Sequence, residues 1–542
     1  MVVFLMGGSS TNNGRILSFR KIHLGMLPPA SRSCEWRAIV TAPRRTLTNI
    51  VFLGLLVAVA VNALLYAAKA ANPLIASDGW YFLDAIVRKA ALGDLVPGDL
   101  FLKRGALDHS QPLRKLILLF HYRYFDLDYS VEAIIGVLAA FLDVGIMWLM
   151  VRPKHGLPDS DRPFLLIAFC AMVAIYLSLN SAVVFNWPLL TLAYTSHVFV
   201  LVFLWLAWIA FREPRPLRLF VVFASAFLMD VVADDTGLVA TIAAAMAVAL
   251  MGVRERRWLG GAKVIVAMVS AYLVYAAMFA LVSTPVGSGN EPAGLSTGNL
   301  LAGLGNHFDD LLGAFAVPLV ASIAHRMQLK AMLGPDTASA ETMIVLVLAA
   351  AHAWFWWRAM RGRINLPAFV ATALMLLFYG LFAGMLIARV SMHGVDYLWQ
   401  PRYVLIFEWN VVALLLMAIA QYCLADDTGT LPRNRGDRVG RAVLACACAL
   451  LLLLQLPLSY NTWAGLKFVS VYQQRMAAQL GAVAAHPDDM SLACGPMLKV
   501  CNYKPERRAE VMHFLEERRL NIFSPAFRAR NRLYPDAQSL PH

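Results

Sequence analysis

Residues 131–151 read VEAIIGVLAAFLDVGIMWLMV, and Arg152-Pro153-Lys154 follow at once. An α-helix rises about 1.5 Å per residue, so roughly twenty apolar residues cross the roughly 30 Å hydrocarbon core of a bilayer. This stretch has that length and ends against cations. Working outward from it, the same pattern recurs near 48–68, 163–185, 192–211, 217–233, 236–252, 263–283, 343–357, 367–388, 402–422 and 442–459. The reading is an all-α polytopic membrane protein with about eleven transmembrane helices. The spans at 343–357 and on either side of Asp234 are shorter than ideal.

Composition agrees. Of 542 residues, 59% are hydrophobic and 15% charged, and mean hydropathy is +0.61. Soluble domains run at about 45–50% apolar and about 25% charged. The formal charge of +13 invites a nucleic-acid reading. The cations, however, fall in short runs between apolar segments, with no basic stripe interleaved with aromatics. The expected partner is the lipid bilayer, with no nucleic acid.

The cations also set an expected orientation. With residues 1–46 as a disordered basic cytoplasmic tail, every second loop is basic: Arg152, Lys154 and Arg162; Arg212, Arg215 and Arg218; Arg254, Arg256, Arg257 and Lys263; Arg358, Arg361 and Arg363; Arg433, Arg435, Arg438 and Arg441. That alternation is the positive-inside pattern. The transmembrane domain then covers 47–459, with outer loops at 69–130 and 284–342, and 460–542 is a small extracytoplasmic C-terminal segment. The apolar stretch 311–324 contains Pro318 and is too short to span. Counting it would also invert the later loops, so it reads as a re-entrant or interfacial helix on the outer face.

Five of the seven cysteines lie in the tail, in spans or at their ends, where they read as small apolar packing groups. Cys494 and Cys501 stand apart in the C-terminal segment, a disulfide candidate if that segment faces an oxidising space. No cysteine or histidine spacing suits structural zinc.

Three regions carry candidate chemistry. The first outer loop contains Ser77-Asp78-Gly79-Trp80-Tyr81 and then Asp108-His109, with amphipathic stretches at 80–92 and 113–125 that suit the membrane interface. An acid at the mouth of a helix bundle suits general-base work or cation coordination, which makes Asp78 the first catalytic candidate and Asp108 with His109 the second. The plainer alternatives are a helix N-cap for Asp78 and a turn for Asp108-His109. Asp234 and Asp235 form an acidic hairpin between two apolar runs. They either face a cavity shared with Asp78 or sit at a solvated tip. Asp143 and Asp230 lie deeper and need partners. Finally Arg389, His393, Asp396, Tyr397, Gln400, Pro401, Arg402 and Tyr403 precede the tenth span. An arginine fork there suits a lipid phosphate, and snorkelling to headgroups is the alternative.

The acid after the first span, the interfacial helices of the first outer loop and the mid-chain acidic hairpin resemble the integral-membrane GT-C glycosyltransferases. The long loop after the seventh span, Pro401-Arg402-Tyr403 before a late span and the polar C-terminal segment add to the likeness. The resemblance implies transfer of a sugar from a polyprenyl-phosphate-linked donor to a cell-envelope glycan or lipid acceptor, on the extracytoplasmic face of a bacterial cytoplasmic (inner) membrane. On it, Asp78 is the base or a ligand of a divalent cation such as Mg or Mn. Arg402, with Arg389 or His393, stabilises charge on the departing phosphate. Two departures stand out: Asp78 is followed by Gly79 rather than a second acid, and no Trp-Trp-Asp signature occurs in the C-terminal segment. The alternatives are a surface-polysaccharide polymerase or ligase, whose essential cations would be His307, His325, Arg326 and Lys330, and a polytopic transporter or flippase-like envelope protein.

Overall fold

The structure is a computed structural model that describes residues 33–103, 110–153, 162–233, 235–282, 303, 305, 310–424, 435–492 and 494–531. The chain divides into two units, Met1–Asn49 and Ile50–His542. Of the expected tail, residues 1–32 lie outside the described residues. From Ser33 the chain is already helical, because the segment up to Ala42 contains no glycine or proline to interrupt it.

All regular elements among the described residues are helical. In chain order the main ones are α1 (Ser33–Ala70), α2 (Pro112–Tyr124), α3 (Ser130–Val151), α4 (Arg162–Tyr176), α5 (Tyr194–Arg212), α6 (Pro216–Ala233), α7 (Asp235–Glu255), α8 (Trp258–Val282), α9 (Leu311–Ala321), α10 (Thr337–Arg361), α11 (Leu366–Met385), α12 (Val404–Tyr422), α13 (Arg435–Ala464), α14 (Leu466–Ala485) and α15 (Pro505–Glu517). Ten helices among the described residues are long and apolar enough to cross a membrane. The protein is an all-α, multi-pass membrane protein.

The stretch expected as one span over 163–185 is instead a 15-residue helix, α4, followed by irregular backbone. The cause lies in three small polar residues. Ser178 Oγ donates to Gln455 Oε1 at 2.6 Å, Asn180 Nδ2 to the Ala321 carbonyl at 2.7 Å, and Ser181 Oγ to the Pro401 carbonyl at 2.9 Å. These bonds replace helix-internal ones. Non-helical backbone is tolerated at membrane depth only where protein satisfies it. Asn180 Oδ1 also accepts from the His325 N–H, so the C-terminal end of α9 and the residues that follow it are held from this turn. As expected of a helix too short to span, α9 is 11 residues long, and it packs against α10 and α12.

Helix α12 is apolar around its whole circumference and therefore sits in the core, with 94% of its most apolar window buried. α5, α7 and α12 run from one end of the bundle to the other, and their C-terminal ends meet in a basic belt. There Arg212 pairs with Glu255 at 2.7 Å, Arg254 donates to the Ala359 carbonyl at 2.6 Å, and Arg363 donates to the Leu424 carbonyl at 2.8 Å.

At the opposite end the first loop and the C-terminal segment form one cap with its own apolar core. That core contains Leu74, Trp80, Leu83, Ile86 and Leu127 from the loop and Leu480, Leu498, Val511, Leu515 and Phe527 from the segment. Asn521 clasps the two parts, its side chain donating to the carbonyls of Pro73 and Leu127 at 3.1 and 2.7 Å. Arg530 pairs with Asp128 at 2.7 Å. Lys115 is buried, and its ammonium donates to the carbonyls of Asp99, Leu100 and Leu102, at the C-terminal end of the turn Pro97–Phe101 where cations are favoured.

Candidate functional site

Where the cap meets the bundle lies a cavity of about 190 Å³. Its wall is built from four places in the sequence: the start of α2 (Gln111, Leu113, Arg114), the α4–α5 connection (Leu189 to Val200), the α6–α7 hairpin (Val232, Ala233, Thr236), and α12 with its approach (Arg402, Leu405, Ile406, Trp409). Leu377 and Leu381 of α11 close it. The walls are largely apolar, and the polar side chains on them are Gln111, Arg114, Thr195, Ser196, His197, Thr236 and Arg402.

Backbone constraints set this geometry. Gln111 precedes Pro112 with φ +49°, a left-handed conformation costly for a residue with a Cβ and tolerated where surroundings fix it. Gly136 of α3 lies so close to the helical turn Pro188–Thr191 that an added Cβ would stand 2.2 Å from the Thr191 carbonyl oxygen. Only glycine allows that approach, and the approach positions Leu189 and Leu190 on the wall.

Two cations lie on the cavity wall: Arg114, which donates to Gln111 Oε1 at 3.0 Å and lies over the Phe82 ring, and Arg402. Arg402 Nη2 donates to the Tyr397 hydroxyl at 2.6 Å and to the Tyr403 hydroxyl at 3.4 Å, and the guanidinium lies over both rings. No carboxylate pairs with it among the described residues, and its buried Nε has no hydrogen-bond partner. His393 stacks on Tyr397 with ring centroids 4.4 Å apart. Arg389, half-buried on the π-helical turn Leu386–Val390, is close enough to act electrostatically on Tyr403. The structure thus brings Arg402, Tyr403, His393 and Arg389 together.

The acidic candidates are placed differently. Asp78 is the N-cap residue of the turn Gly79–Phe82, but its side chain makes no cap bond. Instead Oδ1 accepts from Lys499 Nζ at 2.8 Å, and Asp78 is not among the residues lining the cavity. The neighbouring Ser77, at φ +50°, donates its N–H to the Met497 carbonyl at 2.7 Å. Met497 and Lys499 lie within the loop closed by the Cys494–Cys501 disulfide. Asp108, His109 and Asp234 lie outside the described residues. Asp235 begins α7, and the residues flanking the pair, Ala233 and Thr236, line the cavity.

A divalent cation does not fit the described residues near Asp78. Its carboxylate already holds an ammonium, and no group of three or more His, Cys, Asp or Glu side chains among the described residues could hold a metal.

Sequence reading missed His197. It lines the cavity from the first turns of α5, and its Nδ1 lies 2.9 Å from the Tyr176 hydroxyl, which donates to Asp143 Oδ2 at 2.7 Å. Tyr176 is therefore the partner that Asp143 requires, and Thr241 donates to Asp230 at 3.4 Å. The available signal was the presence of ionisable residues within apolar runs, which are costly there and kept for a reason. The sequence-named cations His325 and Arg326 are occupied. His325 Nδ1 accepts from Met327 N–H and its Nε2 donates to the Trp399 carbonyl at 2.7 Å, and Arg326 pairs with Glu341 at 2.7 Å while stacking on Trp399.

No protein-family model, curated protein or solved structure matches the chain.

Proposed function

We propose that this protein is an integral-membrane glycosyltransferase that moves a sugar from a polyprenyl-phosphate-linked donor to a cell-envelope glycan or lipid acceptor on the extracytoplasmic face. The observation carrying this reading is Arg402. A guanidinium with no carboxylate partner among the described residues, held by two tyrosines on the wall of a largely apolar cavity, suits an amphiphile with an anionic head. Half-burying such a cation without a counter-ion is unfavourable, and a bound phosphate would supply the missing charge. The cavity volume of about 190 Å³ is below the roughly 300–1,000 Å³ of drug-sized pockets, which favours one sugar or one phosphate head over an oligosaccharide.

In this reading Arg402, helped electrostatically by Arg389, stabilises the charge that develops on the leaving phosphate. Tyr397 and Tyr403 orient the guanidinium, and Asp78 with Lys499 clasps the first loop to the C-terminal segment. The polymerase or ligase alternative draws less support, because His325 and Arg326 are engaged in contacts that hold α9 and α10.

The test is envelope glycan profiling of cells carrying the wild-type chain, Arg402→Ala, Arg402→Lys or Arg326→Ala at matched protein level. The expectation is loss of one glycan or glycolipid species with Arg402→Ala and a partial loss with Arg402→Lys, whose ammonium is a point charge rather than a fork. Arg326→Ala should retain it. An unchanged profile with Arg402→Ala overturns the proposal.

A further inference from the structure

The cavity contains a second polar feature that points inward rather than to the lipid phosphate. Asp143 of α3 is fully buried, Tyr176 closes α4, and His197 lies on α5. The three side chains form one hydrogen-bonded chain, carboxylate to phenol at 2.7 Å and phenol to imidazole at 2.9 Å, and only its imidazole end reaches the cavity. Ring contacts of His197 edge-on to Trp409 at 4.8 Å and to Tyr194 at 5.6 Å, with a tilted one to Tyr176 at 6.1 Å, hold the ring in place. Glu408 is the other buried carboxyl group near this chain.

The order of donors decides what the ring can do. With Asp143 ionised, Tyr176 gives its proton to the carboxylate and its oxygen accepts the Nδ1–H of His197. Nε2 is then left with a free lone pair. That nitrogen has no hydrogen-bond partner among the described residues and, unlike the unpaired Nδ1 of His121 and Nε2 of His352, is not sealed off by its neighbours. It is therefore the reachable end of the chain.

We propose that His197 is the proton acceptor of this cavity and that Tyr176 and Asp143 are its positioning relay, an inference that rests on the transferase reading above. The step balances as follows. The acceptor hydroxyl loses its proton to His197 Nε2, and its oxygen forms the new bond to the anomeric carbon. The sugar–phosphate C–O bond breaks, and its electron pair leaves on the phosphate oxygen. At the same time Nδ1 passes its proton to Tyr176, and Tyr176 passes its own to Asp143. One negative charge has moved from Asp143, where burial disfavours it, to the phosphate at the cavity wall, and no imidazolium remains. Arg402 lines the same cavity and would meet the charge that arrives on the phosphate.

Diethylpyrocarbonate, which acylates an imidazole nitrogen bearing a free lone pair, reads this state directly in the full chain in detergent, with modification sites mapped by mass spectrometry. His393, exposed, is the positive control, and His325, with both nitrogens bonded, is the negative control. His197 should react at least several-fold faster than His325, and decyl phosphate should slow it. Asp143→Asn keeps the shape but replaces a group that only accepts by an amide whose Nδ2, turned toward Tyr176, reverses the order of donors. Tyr176 then donates to Nδ1, the ring proton moves to Nε2, and the rate should fall about 10-fold. Tyr176→Phe should lower it less, because the ring samples both tautomers. A His197 rate no faster than that of His325, or one that Asp143→Asn leaves unchanged, overturns the relay.

In cells, His197→Gln should cost about 100-fold or more in glycan formation, the range for removing a general base. Wild-type glycan with His197→Gln, alongside loss with Arg402→Ala, overturns this inference and leaves the transferase reading standing. An unchanged glycan with Arg402→Ala, alongside the expected labelling, overturns the transferase reading instead.

Discussion

Replacing Cys494 and Cys501 together by serine should loosen the cap and leave the bundle intact. The disulfide closes a loop with a sequence separation of 7, and loop-closure entropy for so short a loop is worth about 2.4 kcal/mol at 25 °C. That loop carries three ties to the first loop: the Met497 carbonyl bonded to Ser77 N–H, the Lys499 ammonium on Asp78, and the buried side chains of Leu498 and Val500 in the cap core. Because these ties form together, their opening is cooperative, and 2.4 kcal/mol corresponds to about 60-fold in the opening equilibrium. Hydrogen–deuterium exchange of the full chain in detergent measures it. Peptides from 74–92 and 505–517 should exchange roughly 60-fold faster in the double variant, and peptides from α12 should not change. Unchanged protection in both cap peptides would refute the reasoning, as would an equal loss in α12.

Lys115→Met keeps the apolar stem but removes the ammonium from three backbone carbonyls. It should cost about 2–3 kcal/mol, the scale of a charge-assisted hydrogen bond, read as a lower thermal midpoint and new proteolysis over 94–103; a variant as resistant as wild type excludes the capping role. Cap stability should also fall in acid. For Asp99, burial raises the carboxyl group and the Lys89 ammonium with the Val96 N–H outweighs it, leaving it below its ordinary 3.8, while Glu510 is held below its ordinary 4.5 chiefly by the Arg507 guanidinium. Depressed folded values mean that both contributions are complete above these ordinary values and are lost as pH falls through the folded ones, so cap exchange should be level from about pH 7 to 5 after correction for intrinsic rates and should rise below about pH 4. Loosening on going from pH 5 to 7 would contradict the sign. Arg402→Leu removes a half-buried cation that no described carboxylate pairs and should leave the thermal midpoint equal or higher while decyl phosphate loses its stabilising effect, so a large fall in midpoint would mean that Arg402 is structural.

The spans were legible because a bilayer imposes a length on any apolar helix, and 131–151 meets it with a bounded run. The break after Tyr176 was not legible. Ser178, Asn180 and Ser181 look like ordinary small polar residues, and the groups that draw them out of the helix, on Gln455, Ala321 and Pro401, lie 277, 141 and 220 residues away. The cap was hidden for the same reason. Residues 69–130 and 460–542 each read as a separate surface piece, because neither contains enough apolar residues to suggest a core of its own. Asn521, 448 residues from Pro73, gives no local sign of what it holds. Within the site, Arg402 was readable because a cation beside an apolar span is conspicuous by itself. His197 was not, since its meaning comes from a tyrosine 21 residues earlier and an aspartate 33 residues before that.

The partners of the arginines separate architecture from candidate chemistry in this chain. In the basic belt three guanidinium groups end on a carboxylate or on carbonyls that a helix terminus leaves open, Arg212 on Glu255, Arg254 on Ala359 and Arg363 on Leu424, while Arg358 donates to the Tyr422 phenol and lies over its ring. Those carbonyls need a donor, so the cation and the helix end satisfy each other, and such arginines have little capacity left. Arg326 is likewise consumed by Glu341 and Trp399. Arg402 bonds only phenols, which orient the fork without neutralising it; the other cation on its cavity wall is Arg114, and His197 there is neutral whenever its Nε2 lone pair is free. A cation held with geometry but without a counter-charge is favoured only if something anionic visits it. The same argument explains why the acid sits on the far side of Tyr176. A carboxylate facing Arg402 directly would pair with it and fill the place of the phosphate, whereas Asp143, buried behind a phenol and an imidazole, can take up a proton and still leave the guanidinium open.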